Sequence, residues 1–124
     1  MPQLEDVLAE LAAIPQVQVA ALGGADGLLV DEVFSAGVDP AETDMDGAVV
    51  EFTYAWNALQ RAVAEPLAAG ATQELMVVAQ GGQMLVHAVG DAWYVMLWAN
   101  HQLDLPAARL ALAAAAVSLT EVVA

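Results

Sequence analysis

The stretch ELMVVAQGGQMLVHAVGDAWYVMLWA, Glu74 to Ala99, holds three short apolar runs separated by glycine. The runs are Glu74 to Ala79, Met84 to Val89 and Trp93 to Ala99, and the breaks are Gly81-Gly82 and Gly90-Asp91. Short runs rich in Val, Met, Tyr and Trp, joined by tight glycine-containing turns, predict an antiparallel β-meander. Upstream, Met45, Ala48, Val49, Phe52, Ala55, Trp56, Leu59, Ala62 and Val63 recur at helical spacing. They predict a long helix over 41–64 with one apolar arc wide enough to cover a sheet, closed by Pro66 and Gly70. Further back, Val17 to Leu22 and Leu28 to Phe34 read as strands, with Gly23-Gly24-Ala25-Asp26-Gly27 as the turn between them. Leu4, Val7, Leu8, Leu11 and Ile14 predict a first helix over 4–14, stopped by Pro15. Downstream, Asp104 caps a last helix with Pro106 in its first turn and Leu105, Leu112 and Leu119 as its apolar ridge, running to about Val122.

The order is therefore α-ββ-α-βββ-α. Five strands and three helices in so short a chain predict a three-layer α/β/α sandwich of the α/β class, a single domain spanning 1–124.

Composition narrows the function. The chain has no cysteine, no Lys, 2 Arg and 16 acidic residues, a formal net charge of −14. Disulfides, thiolate metal sites and cysteine nucleophiles are excluded. Two arginines cannot neutralise a row of phosphates, so nucleic acid is not an expected partner. An anionic membrane surface would repel the chain. Leu105 to Leu119, interrupted by Arg109 and mostly alanine, is too short and too weakly apolar to predict membrane insertion. Met1-Pro2-Gln3-Leu4-Glu5-Asp6 lacks the basic start of a signal peptide, and a cytoplasmic location is expected.

Motifs of catalysis are missing. The glycines at 23, 24 and 27 fit neither a dinucleotide fingerprint nor a P-loop, and no lysine is present to reach a phosphate. Glu42-Thr43-Asp44-Met45-Asp46-Gly47 imitates the start of a calcium loop but places Thr53 where the bidentate Glu belongs. Asp44 and Asp46 instead suit a helix start. His87, with Asp91 nearby across a turn, and His101 lack the acidic cluster of a zinc site. Ser35 and Ser118 lie in no nucleophile-elbow context. The expectation is a non-enzyme with no cofactor and no metal.

Surface for partners remains. Val50, Tyr54, Ala58 and Arg61 form a second, weakly charged stripe on the long helix, opposite its apolar arc, with Asn57 beside them. Tyr and Arg are favoured interface anchors. The run from Gln73 to Ala79 carries one charge, Glu74, and reads as a weakly protected edge strand.

Several short stretches together resemble the roadblock/dynein light chain family, and most of all its small bacterial members of the MglB type. They are Leu8 to Val17, Ala20-Ala21-Leu22, Asp26 to Val30, Gly81 to Val86, Val89-Gly90-Asp91, and Asn100 to Leu112. The resemblance implies a sheet in the order 2-1-5-4-3, with the central helix on one face and the terminal helices on the other. It also implies a homodimer joined through third strands and central helices. Its interface would hold Val50, Tyr54, Asn57, Ala58 and Arg61 of the helix with Gln73, Glu74, Leu75, Met76 and Val77 of the strand. It further implies a platform for a small Ras-like GTPase. The alternatives are a structural scaffold subunit of a signalling or motor complex without effect on hydrolysis, and a small-molecule sensor or weak hydrolase using a pocket near His87 or His101.

Overall fold

The computed structural model describes residues 3–123. Met1, Pro2 and Ala124, the ends of the expected single-domain span, lie outside the described residues. The elements are α1 (Leu4–Ala12), β1 (Val17–Gly24), β2 (Leu29–Phe34), α2 (Met45–Ala64), β3 (Glu74–Ala79), β4 (Gly82–Val89), β5 (Trp93–Ala99) and α3 (Leu105–Val123). All five strands form one sheet in the order β2-β1-β5-β4-β3, antiparallel at every pairing. The expected order 2-1-5-4-3 and the three-layer sandwich are both present.

The pleat sorts the strand residues between two cores. On one face Ala20, Leu22, Leu85, Val95 and Leu97 pack against Leu8 and Leu11 of α1 and Leu112 and Leu119 of α3. On the other, Val19, Ala21, Val86, Tyr94 and Met96 pack against Met45, Val49, Phe52 and Trp56 of α2. The α3 helix has the length and apolar composition of a membrane span, yet its Ala108, Leu112, Ala115, Ala116 and Leu119 are buried in the domain core.

α1 ends at Ala12 rather than 14 and β2 begins at Leu29 rather than Leu28, and three further boundaries differ from the sequence reading for physical reasons. Gly23 and Gly24, expected in a turn, continue β1, because the Tyr94 ring fills the space above Gly23; a Cβ there would lie 2.8 Å from it. β4 begins at Gly82 rather than Met84, since Gln80-Gly81 alone makes the turn and Gly82 passes close under the Ala99 carbonyl, where a Cβ would sit 2.7 Å away. α2 starts at Met45 rather than 41: Pro40–Glu42 form a separate 3-10 turn, and Asp44 caps α2 by accepting the Gly47 N–H at 3.0 Å.

Candidate functional site

α2 is pinned by an aromatic cluster. Phe52 lies 5.3 Å from Tyr94 and 5.9 Å from Trp56, centroid to centroid. Thr53 donates to the Val49 carbonyl at 2.7 Å and meets the Tyr94 hydroxyl, which in turn donates to the same carbonyl at 3.3 Å. These buried polar atoms are thereby partnered inside an apolar core. With the inner face fixed, the sequence-derived stripe points away from the sheet. Val50, Tyr54, Ala58 and Arg61 are exposed, Tyr54 to 74%, and Asn57 is half-buried. Beyond Trp56 no residue of α2 is buried. Leu59 and Ala62, read from periodicity as part of the inner arc, are exposed because the helix outruns its contact with the sheet, and Ala55, just before the buried Trp56, is exposed because it falls on the flank of the helix.

β3 is hydrogen-bonded to β4 alone and leaves its other edge open. Leu75 is half-buried, while Gln73, Glu74, Met76 and Val77 are exposed. Register assigns Leu75 and Val77 to the α2 side of the sheet, opposite Val86 and Met84. α2 approaches β1 and β2 most closely, so Met84 and Trp98, on the same side as Val77, stay only half-covered. The result is an apolar shelf beside α2, running out to the open edge. Met84 and Trp98 are absent from the sequence-derived set; only the strand register brings them beside Val77. Val78, 62% exposed on the opposite face, is likewise absent from that set.

The charges on this edge are settled by one pair. Arg109 of α3 donates to both carboxylate oxygens of Glu74, at 3.2 and 3.1 Å, the only ion pair among the described residues. That bond holds the Glu74 carboxyl below its usual range. It also neutralises the one charge on β3. The opposite edge, β2, keeps Asp31 and Glu32. Burial, then the carboxylates of Asp46 and Asp31, push the Glu32 carboxyl up. A raised folded pKa means stability that is full below the unfolded value and lost as pH rises through the folded one. Glu32→Gln should therefore raise the melting temperature at pH 7. The gain should vanish once pH falls below the ordinary glutamate range. Equal melting curves at both pH values would contradict this.

Neither histidine builds a site. His87 stands opposite Glu74, not Asp91, and its Nδ1 faces the Ala88 carbonyl at 2.8 Å. His101 Nε2 lies 3.0 Å from the Gln80 carbonyl. A cavity of about 290 Å³ at the β3–α3 seam and one of about 180 Å³ beside Trp56 and Thr72 are both lined without either histidine. No group of three or more metal-ligating side chains occurs among the described residues.

A five-stranded 2-1-5-4-3 sheet with one helix on one face and two on the other is the fold of roadblock/LC7 domains and MglB proteins. The chain superimposes on the gliding protein MglB of Thermus thermophilus with a TM-score of 0.86 at 19% identity, covering 95% of this chain and 86% of that one. An MglB in a tetrameric arrangement gives 0.86 at 19% identity over 95% and 85% of the two chains. A roadblock/LC7 domain of Streptomyces avermitilis gives 0.82 at 17% identity over 97% of both chains. No protein-family model and no curated protein matches the sequence.

Proposed function

We propose that this chain is a non-catalytic, cytoplasmic homodimeric platform that binds and regulates a small Ras-like GTPase. One observation carries the reading: the shelf of half-buried Leu75, Met84 and Trp98 and exposed Val77 runs from α2 to the open edge of β3. A second copy brought edge to edge through β3 extends the sheet across a two-fold axis and lays its own α2 beside the first. Self-pairing through β3 rather than β2 follows from charge. Asp31 and Glu32 protect the β2 edge, whereas Glu74 on β3 is neutralised by Arg109. The neighbours' shared fold and the tetrameric arrangement of one MglB support an oligomer.

The GTPase partner rests on the family resemblance together with electrostatics. A dimer carries twice −14, or −28, formal charges and attracts a basic patch before contact. Association with the GTPase should slow as salt rises past about 0.15 M, where the Debye length is about 8 Å. Stopped-flow rates that are flat with salt would rule out electrostatic steering. The direct test is size-exclusion chromatography of the chain with the Ras-like GTPase of the same genome, loaded with GDP or with a GTP analogue. A complex in one nucleotide state supports the proposal, and none in either state contradicts it.

The scaffold reading differs on hydrolysis alone, and the cation count speaks for it. Of the two guanidiniums, Arg109 is tied to Glu74, which leaves Arg61 as the one that could face a transferring phosphate. If Arg61→Ala leaves the GTPase rate of the complex unchanged, any regulation acts by ordering the partner's own groups. If the chain leaves the rate unchanged altogether, it is a scaffold.

A further inference from the structure

The face opposite α2 holds an apolar surface that the platform leaves unused. α1 and α3 lie side by side there, with a groove of about 400 Å³ between them lined by Val7, Leu11 and Ile14 on one wall and Ala111 and Ala114 on the other. Alanine on the α3 wall keeps the groove open. Ala114 joins the groove to the outer face of α3, where Leu110, on the Arg109 side, is 75% exposed and Val117 69%. Together with Ala114 they are spaced by four and then three residues and share one helix face. From Leu110 to Thr120 the helix carries no charge at all.

The charges around this apolar stripe have one sign. Glu10 lines the groove from α1, Asp6 is exposed on the outer side of the same helix, and Glu121 is exposed on α3. Arg109 is already held by Glu74. A second copy would set acid against acid, and an anionic membrane would be repelled in the same way. A helix with an apolar stripe flanked by Lys and Arg satisfies both features at once.

We propose that the α1–α3 groove docks a basic amphipathic helix of a partner protein. Its apolar stripe would sit against Ala114, with Leu110 and Val117 on the rim, and its cations would face Glu10 and Glu121. This surface lies across the sheet from α2, so the two can be occupied together.

The probe is a fluorescently tagged synthetic peptide of leucine and lysine, with leucine at alternating three- and four-residue steps, titrated against the full chain by anisotropy. Ala114 is exposed, so Ala114→Trp fills the groove from outside the core. This variant should raise Kd by at least about tenfold, the scale of one lost side-chain contact. Leu110→Ser should also weaken binding, and Glu10→Lys should weaken it with a shallower salt dependence. Leu67→Ser, at an exposed position outside both surfaces, should bind as the parent does, and a leucine–glutamate peptide should not bind. Circular dichroism melts of each variant establish that it is folded. An unchanged Kd for both Ala114→Trp and Leu110→Ser would put the peptide elsewhere and overturn the proposal, as would no binding by the parent. If Leu110→Ser lowers the self-associated mass, the occupant is a second copy. If the parent but not Leu110→Ser floats with phosphatidylcholine vesicles, the occupant is a lipid surface. Either result also overturns the proposal.

Discussion

Phe52→Ala should lower the unfolding free energy by about 3–5 kcal/mol, the usual cost of emptying a buried phenylalanine site. Phe52 is the side chain that joins α2 to both Trp56 and Tyr94. Its loss also opens water access to the Thr53–Tyr94–Val49 hydrogen bonds beneath the helix. Small domains hold only about 5–15 kcal/mol in total. The variant should therefore sit near its unfolding threshold, and its urea midpoint should drop sharply with an unchanged slope. A loss below about 1 kcal/mol would mean that α2 is anchored elsewhere, and the orientation of its outer stripe would lose its foundation.

Tyr54→Glu should convert the proposed dimer to monomer. Tyr54 is 74% exposed in the single chain, which leaves nearly its whole ring available for burial between two copies. Such burial contributes about 1.5–3 kcal/mol per side chain, and the two-fold doubles it. At about 1.4 kcal/mol per factor of ten, the dimer dissociation constant should rise at least a hundredfold. Light scattering across a dilution series reads this directly. Arg61→Glu should act less, since an exposed ion pair is worth at most about 1 kcal/mol. Antiparallel packing of two α2 helices would set Arg61 near Glu51 of the second copy, so the effect should concentrate at low salt, where two acids would face each other unscreened. A dimer of unchanged mass and dissociation constant in Tyr54→Glu would place the interface on another face.

Local pattern carries most of the fold because each element is consistent with its neighbours. The bounds of β3 and β5 follow from continuous apolar runs set off by glycine turns, and Asp44 and Asp104 mark helix starts by capping chemistry. What escapes sequence reading depends on contacts between distant segments. Gly23 and Gly24 look like turn residues, but their backbone lies under Tyr94, 71 positions beyond Gly23 in the chain, and beside Trp93. Leu59 has the right helical phase for the core but lies past the part of α2 that the sheet supports. For the candidate site, the α2 stripe is visible from spacing, whereas the shelf of Met84 and Trp98 requires the register of three strands. The role of Glu74 is legible only as a charge; its neutralisation by Arg109 is a contact across 35 positions.

The natural absence of cysteine lets a single introduced thiol report whether two β3 edges meet. Cysteine is placed in turn at Met76, Val77 and Val78, all exposed on β3, and as a control at Val30, exposed on β2. The proteins are oxidised at micromolar concentration and read on a non-reducing gel. Antiparallel pairing of β3 about a two-fold axis predicts a covalent dimer for at least one β3 position and none for Val30→Cys, with the β3 cross-link lost when Tyr54→Glu is added. No cross-link at any β3 position, or equal cross-linking through Val30→Cys, would contradict a platform built from β3 and α2 of two copies.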